Sequence, residues 1–321
     1  MSDFKFNLQV DSSGDRVDTY LVSKFPEYSR SKIQKFIKDG SIKVDNEKIK
    51  PSWILSEGEN LIGDIQSKVE PTLEPENIPL EILFEDDHFI IINKKSGMVV
   101  HPGNGINNGT LVNALIFHFN NLSKLDPIRP GIVHRLDKET TGVILIAKND
   151  EAHHKMSKLF EKREVRKIYK AITWGKVNDR DSIKTNICRN PSDRTLFTTS
   201  QTKGKEAHTI YKLDEYFPPL SLVSVGLKTG RTHQIRVHMK SIGHPIVCDK
   251  DYSGGKNRIK SFHSKYTQLL TRVFKNINRV ALHAELLEFI HPVNGENIKV
   301  IAPLPKDMKN VISILKEYGE A

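Results

Sequence analysis

Two short segments of this chain set ionisable side chains among turn residues beside apolar runs. The first, HRLDKETTG at 134–142, leads straight into the apolar stretch 142–147. In it Asp137 lies between Arg135 and Lys138, and neighbouring cations favour an ionised carboxylate. Such a group can serve as a nucleophile or a general base. A turn aspartate closing a loop ahead of a strand has the same local sequence, so this segment alone leaves both readings open. The second, TGRTHQIRVH at 229–238, places Arg231 where a strand ends in a glycine turn and a helix begins. A guanidinium there can grip a carboxylate or phosphate with its forked donors; a solvated arginine near a helix start is the ordinary alternative.

Other chemistries find little support. The string GNGINNG at 103–109 has GxGxxxG spacing and no ordinary βαβ surroundings, so it reads as a loop rather than a dinucleotide fingerprint. Lys256 after Gly254 and Gly255 is followed by Asn257, so the Ser or Thr that a P-loop sets on magnesium is missing. His153 with His154, and His233 with His238, lack the spacing and glutamate of an HExxH site, and no metal site is expected. There is no GxSxG elbow for serine hydrolysis. Cys188 and Cys248 form neither a CxxC knuckle nor a disulfide framework, which predicts a reduced, cytoplasmic protein. No apolar run approaches the ~18 residues needed to span a bilayer, and the N-terminus has no secretory pattern.

The elements that must position these segments follow from periodicity. Strands are expected over 81–84 and 88–93, joined by a turn at Asp86 and Asp87, and then at 142–147, 167–173, 207–213, 220–228, 280–289 and 297–301. Helices are expected from the Thr110 cap to His118, over 151–164, and at about 232–242 and 306–317. Many strand-to-strand links are too short for a crossover helix, which predicts an α+β domain with a mixed, largely antiparallel sheet. Before it, a run opening at Ser29 with Ile33, Phe36 and Ile37 at helical spacing predicts a helix stopped by Gly40. A short strand at 41–44 and a hairpin turn at 45–47 returning through 48–50 should follow. Pro71, Pro75 and Pro79 punctuate an acidic stretch that reads as a linker, giving two domains, 1–75 and 76–321.

The chain of 321 residues carries 49 Lys and Arg against 39 Asp and Glu, net +10. Residues 1–75 hold eleven basic and thirteen acidic side chains, so the basic excess falls in the larger domain. Residues 24–50 nevertheless form a local basic face, with eight cations against four acids. From Tyr252 to Ala284 there is no acid but seven Lys and Arg, and a second basic cluster spans 155–170. A solvated face is the usual account of one such run; two beside an apolar domain favour a nucleic acid partner.

Taken together, these segments resemble the RluA/RluD family of RNA pseudouridine synthases. The string GIVHRLDKETTG at 131–142 is similar to the family's aspartate motif almost throughout. Further blocks at 92–103, 167–171, 228–238 and 279–292 agree in order and content, so the likeness covers about 80–300. Residues 14–63 are similar to the small alpha-L, S-four-like RNA-binding module that precedes the catalytic domain in many members, through Arg16, Val17, Asp18, the Ser29 to Ser31 turn and the strand at 41–44. The blocks HPGNG at 101–105 and GTLVNAL at 109–115 are most like the RluD branch, which acts on large-subunit ribosomal RNA. The chain departs from the family at Lys95, where proline is usual, and at Cys248 and Ser253, where glycine is usual.

The resemblance implies the pseudouridine synthase fold and an isomerisation of specific uridines that needs no cofactor and no metal. It implies that Asp137 is the essential carboxylate, that Arg231 pairs with it, and that Tyr169 stacks on the extruded uracil with Leu282 closing the other apolar side. Arg135 is expected to contact RNA and help flip the target nucleotide. Arg30, Lys32 and Lys35 on the small domain, with Arg163, Arg166, Lys167 and Arg236 on the large one, are the expected RNA contacts. The expected partner is large-subunit ribosomal RNA or its assembling particle, approached by a monomer without membrane attachment. The same chemistry on tRNA or another ribosomal site, and a non-catalytic RNA-binding assembly factor, are the alternatives. An RNA glycosidase would ask for a second carboxylate, for which Glu139 is the neighbour.

Overall fold

A computed structural model of the chain describes residues 4–65, 73–103 and 105–319; Pro71 of the expected linker and Asn104 of the glycine loop lie outside them. The chain forms two compact units, 1–72 and 73–321. In the first, β1 (Phe4–Gln9), α1 (Val17–Lys24), α2 (Arg30–Asp39), β2 (Ile42–Val44) and β3 (Asn60–Ile65) follow in order, the strands forming an antiparallel sheet ordered β1-β3-β2. Helix α2 buries Ile33 and Ile37 and stops at Gly40, whose φ of 85° is the left-handed C-cap that glycine adopts at no steric cost. Asp45 and Asn46 both have positive φ, the backbone of a tight hairpin turn. The expected return strand at 48–50 does not form. β2 pairs with β3 instead, since Leu61 opposite Val44 is fully buried, which Lys48 and Lys50 cannot match.

A buried carboxylate organises this small unit. Asp18 accepts forked hydrogen bonds from Arg16 and Arg30 at 3.0–3.2 Å and one from Gln34. Burial alone would raise its carboxyl, but these donors outweigh burial and hold it well below the usual carboxylate range.

The second unit contains β4 (Ile82–Glu85), β5 (Phe89–Lys94), α3 (Leu111–His118), β6 (Thr141–Ala147), α4 (Asp150–Lys162), β7 (Arg166–Trp174), β8 (Arg180–Arg189), β9 (Phe197–Ser200), β10 (Lys205–Phe217), β11 (Leu220–Leu227), α5 (Gln234–Ser241), α6 (Thr267–Asn276), β12 (Leu282–Ile290), β13 (Asn297–Ile301) and α7 (Lys306–Gly319). One sheet runs β4-β5-β6-β12-β7-β11-β10-β8-β9, with β13 also on β12. Every pairing among the described residues is antiparallel except β6 with β12, as the short links predict. The Asp86 side chain caps the β4–β5 turn by accepting from the His88 and Phe89 N–H groups. Strand β6 is buried along its whole length, which explains its continuous apolar run.

The β6–β12 contact is where the two halves of the sheet meet. It spans only His283 opposite Thr141 and Ala284 opposite Gly142; beyond it β13 takes over that side of β12. Gly142 has φ of 111°, and a Cβ there would collide with the Ala284 carbonyl, so only glycine lets the strands approach. Asp137 therefore enters the fold shortly before the junction on one strand, and Leu282 opens the other strand just ahead of it. Part of the expected linker is fastened to this unit: Asn113 donates to the Glu74 carbonyl, and the Glu76 N–H donates to that of Asn113.

Candidate active site

The loop carrying Asp137 is held by its main chain. Lys94, 1% exposed at the end of β5, donates to the carbonyls of Lys95, Met98 and Lys138, filling its three donors. Burial pushes its ammonium down to about 7, against the favourable field of Asp137. Arg279, also buried, forks onto Asp307 at 2.7 and 2.9 Å and gives its remaining nitrogen to the carbonyls of Glu139, Val280 and Leu282. On the other side His134 Nε2 accepts from the Leu145 N–H; burial pushes this imidazole down to about 3, so it is neutral and acts as an acceptor. The Thr140 N–H closes the turn on the Asp137 carbonyl.

These anchors leave the Asp137 carboxylate facing a cavity of about 380 Å³, a size suited to a small-molecule or single-nucleotide guest. Tyr169, Leu282, Leu136, Phe160 and Leu227 supply its apolar walls. Tyr169 and Leu282 are diagonal neighbours on one face of the β7–β12 pair, since Leu282 lies opposite Ala171 and Ala284 opposite Tyr169. Burial, helped by the Asp137 charge, pushes the Tyr169 phenol up, so it stays protonated. Arg135 stands exposed on the rim.

The expected pairing of Arg231 with Asp137 is not what the structure shows. Arg231 lines the cavity, but its Nε donates to the Glu206 carbonyl at 3.0 Å, and no ion pair joins it to Asp137 among the described residues. Arg236 stands there instead, its Nη1 at 3.7 Å from Asp137 Oδ2. It is 6% exposed, so it is not a surface contact for RNA, and only a nucleotide inside the cavity it lines could reach it. Its Nε and Nη2 grip Asp249 at 2.7 and 2.8 Å, Nη2 reaches Asp251 at 2.8 Å, and the guanidinium lies 4.7 Å from the centre of the Tyr252 ring. Burial alone would lower its pKa; the Asp249, Asp251 and Asp137 carboxylates reverse that and raise it. His233, which local sequence does not single out, places Nε2 3.9 Å from Asp137 Oδ1.

The residues that hold Arg236 come from the loop 248–254. Cys248 and Ser253, the two departures from glycine, have φ of 66° and 67°, so both non-glycine residues sit in the left-handed region that glycine favours. Gly254 has no room for a Cβ beside the Ile246 carbonyl, and its own carbonyl accepts from the Trp174 indole. The Glu139 carboxylate turns away from the cavity to accept from the Val280 N–H, which removes it as the partner a glycosidase would need.

The expected RNA contacts divide. Arg163 is the exposed left-handed C-cap of α4, and Arg166 pairs with Glu288 at 2.7 Å. Lys167 lies 5.1 Å from the Phe160 ring centre, and burial lowers its pKa. All three line a groove of about 540 Å³ that shares Lys167 and Leu227 with the cavity and is completed by Arg180, Lys212 and Lys228 over an apolar floor of Ile168 and Ile210. On the small unit Lys35 is exposed and Lys32 lies over the Tyr28 ring, but the fork of Arg30 is committed to Asp18. Within the acid-free run 252–284, Arg272 pairs with Glu317 and Arg279 with Asp307, both on α7.

Comparison with known proteins gives the family of the chain. Residues 88–241 match the model of the RNA pseudouridylate synthase family, and residues 15–61 match that of the S4 domain. A protein of Xanthomonas campestris pv. campestris named ribosomal large subunit pseudouridine synthase D is 40% identical over 306 residues, covering 95% of this chain and 90% of that one. This chain belongs to the RNA pseudouridine synthases. A Pseudomonas aeruginosa protein of the same name is 39% identical across 96% of the enzyme and 94% of itself. Among solved structures, human RNA pseudouridylate synthase domain containing 4 superposes with a TM-score of 0.56 at 26% identity, over 74% of this enzyme and 93% of its own chain. Among the described residues no helix of the enzyme is long and apolar enough to cross a membrane.

Proposed function

We propose that this enzyme converts specific uridines of large-subunit ribosomal RNA to pseudouridine, with Asp137 as the essential carboxylate. The observation that carries the reading is the Asp137 carboxylate, faced by Arg236 and His233, in a cavity walled by Tyr169 and Leu282. In the reaction the C1′–N1 bond of uridine breaks, the base turns, and a C1′–C5 bond forms; C5 gives up its proton and N1 gains one. Composition is unchanged, so the site has to hold the free base and manage charge, not supply a reactant. Tyr169 and Leu282 sandwich the uracil after it leaves the stack. Arg236 and His233 orient the carboxylate, and Arg135 on the rim takes the emptied strand. Arg231, at the cavity edge, contacts substrate rather than Asp137.

The groove with Arg163, Arg180, Lys212 and Lys228 receives the sugar-phosphate chain flanking the target, because among the described residues these four have no carboxylate within ion-pair distance. Lys32 and Lys35 add contacts from the small domain. The ribosomal substrate is supported by the names of the relatives above, which share about two residues in five along nearly the whole enzyme. The enzyme acts as a cytoplasmic monomer.

Incubating the purified enzyme with unmodified large-subunit ribosomal RNA, and separately with unmodified tRNA, and then mapping pseudouridine at nucleotide resolution tests this. Conversion confined to the ribosomal transcript and abolished by Asp137→Ala is expected. Conversion of tRNA alone would overturn the substrate, and equal conversion by the variant would overturn the role of Asp137.

A further inference from the structure

We propose that Tyr252 is a positioning residue for the reaction, setting His233 and Arg236 so that they address the two oxygens of Asp137. The inference rests on the reading of Asp137 as the essential carboxylate. Tyr252 is 1% exposed, and its hydroxyl has two neighbours: the Phe197 N–H donates to it at 3.0 Å, and His233 Nδ1 lies at 2.8 Å. A phenol has one proton to give. Because the amide of Phe197 can only donate, that proton goes to His233 Nδ1. A neutral His233 then carries its own proton on Nε2, the nitrogen 3.9 Å from Asp137 Oδ1. The distance exceeds a hydrogen bond, a gap of the kind that closes when substrate seats.

The same ring sets the second partner. Its face lies under the Arg236 guanidinium, while Asp249 and Asp251 take up Nε and Nη2, which leaves Nη1 directed at Asp137 Oδ2. The backbone adds to the arrangement: His233 has φ of 54°, and its ring packs edge-on to Phe197 and Tyr252. The charged groups facing His233 are Asp137, Asp249 and Asp251 on one side of the balance and Arg236 on the other; burial is the larger influence and lowers its pKa, in keeping with a neutral ring. Tyr252 thus joins β9, through Phe197, to both groups that meet the carboxylate, although it lines no part of the cavity.

Tyr252→Phe retains the ring, its packing and its contact with Arg236 and removes only the hydroxyl. Conversion kinetics, measured well below the variant's melting temperature, should show kcat lowered roughly tenfold or more with KM for RNA unchanged. The ring nitrogen-15 signals of His233 should change from a fixed Nε2–H form to a mixture. His233→Gln keeps a side-chain N–H and has no tautomers, so adding Tyr252→Phe to it should cost nothing further. Full kcat in Tyr252→Phe, unchanged His233 signals, or additive losses in the double variant would each overturn the proposal. An active Asp137→Ala enzyme would instead remove the reading of the site, and the nitrogen signals, which require no turnover, would still report whether Tyr252 sets the tautomer.

Discussion

Arg236→Gln should separate the two arginines of the 229–238 segment. The guanidinium is shared by Asp249, which is fully buried, Asp251, whose side chain is 53% exposed, and Asp137 at 21%. The Asp251 contact is solvent-screened and contributes little, so the loss is dominated by Asp249 left without its fork. Breaking one side of a buried ion pair costs about 3–5 kcal/mol. For a unit of this size each kcal/mol moves the melting point by about 2–4 °C, so the transition of the larger unit should fall by about 6–20 °C. Arg231→Gln removes one hydrogen bond to a main-chain carbonyl, worth about 0.5–1.5 kcal/mol, and should shift it far less. Calorimetry on both variants, with conversion assayed at a temperature where each is folded, gives stability and activity together. Arg236→Gln should also lose at least about 100-fold in conversion, because the cation facing Asp137 is gone. A melting point within about 2 °C of the parent, less than one kcal/mol would produce, or a larger loss in Arg231→Gln than in Arg236→Gln, would refute the reasoning.

Three further outcomes follow from the packing. Burial holds His134, His238 and His283 down to about 3, 4 and 4. Between roughly pH 6.5 and 4 the unfolded chain takes up protons these rings refuse when folded, so stability falls as pH falls across that window by up to about 3 kcal/mol for each ring; urea titrations at about pH 7, 5.5 and 4.5 read it, and His283→Gln should flatten the slope. Replacing Arg180, Lys212 and Lys228 with Gln should weaken RNA binding and reduce the slope of log affinity against log salt by about one for each phosphate no longer neutralised; an unchanged slope would mean that RNA does not enter the groove. Ser253→Gly relieves a left-handed φ of 67° at an exposed side chain and should stabilise the enzyme by about 0.5–1 kcal/mol in the same titration; a loss of stability there would show that the loop is not strained.

Much of the fold was legible because its signals are local. Thr110 caps α3 as its sequence suggests, Gly40 ends α2, and β5 and β6 read as strands from apolar runs alone. The elements that periodicity misses lie where burial is one-sided. Strand β8 is mostly polar, with Ile183 and Ile187 as its buried positions, and β9 has none. Helix α6 lies inside the basic run and buries Leu269, Leu270 and Val273, an amphipathic stripe overshadowed by its charges. The missing return strand at 48–50 has a different cause: the turn forms where its residues predict, but the partner with a buried side chain lies further along, at Leu61.

The site divides the same way, and the division explains the misplaced arginine. The place of Asp137, on a turn that feeds a buried strand, was legible because its neighbours, its turn and that strand are all close by in the chain. Its partners are set by contacts between segments far apart in sequence, which spacing cannot supply. Arg231 draws attention because it sits at the turn, but a turn arginine on a glycine hinge is free to meet a carbonyl, and it does. Arg236 lies in α5 within a stretch buried from Gln234 to Met239, and an enclosed cation must find carboxylates. Those were available: Asp249 and Asp251 stand immediately before the acid-free run, just outside its first residue, Tyr252. An enclosed arginine and an acidic pair at the edge of a basic tract are therefore one feature seen from two places in the chain. Reading them together points to Arg236 rather than Arg231 as the cation that faces Asp137.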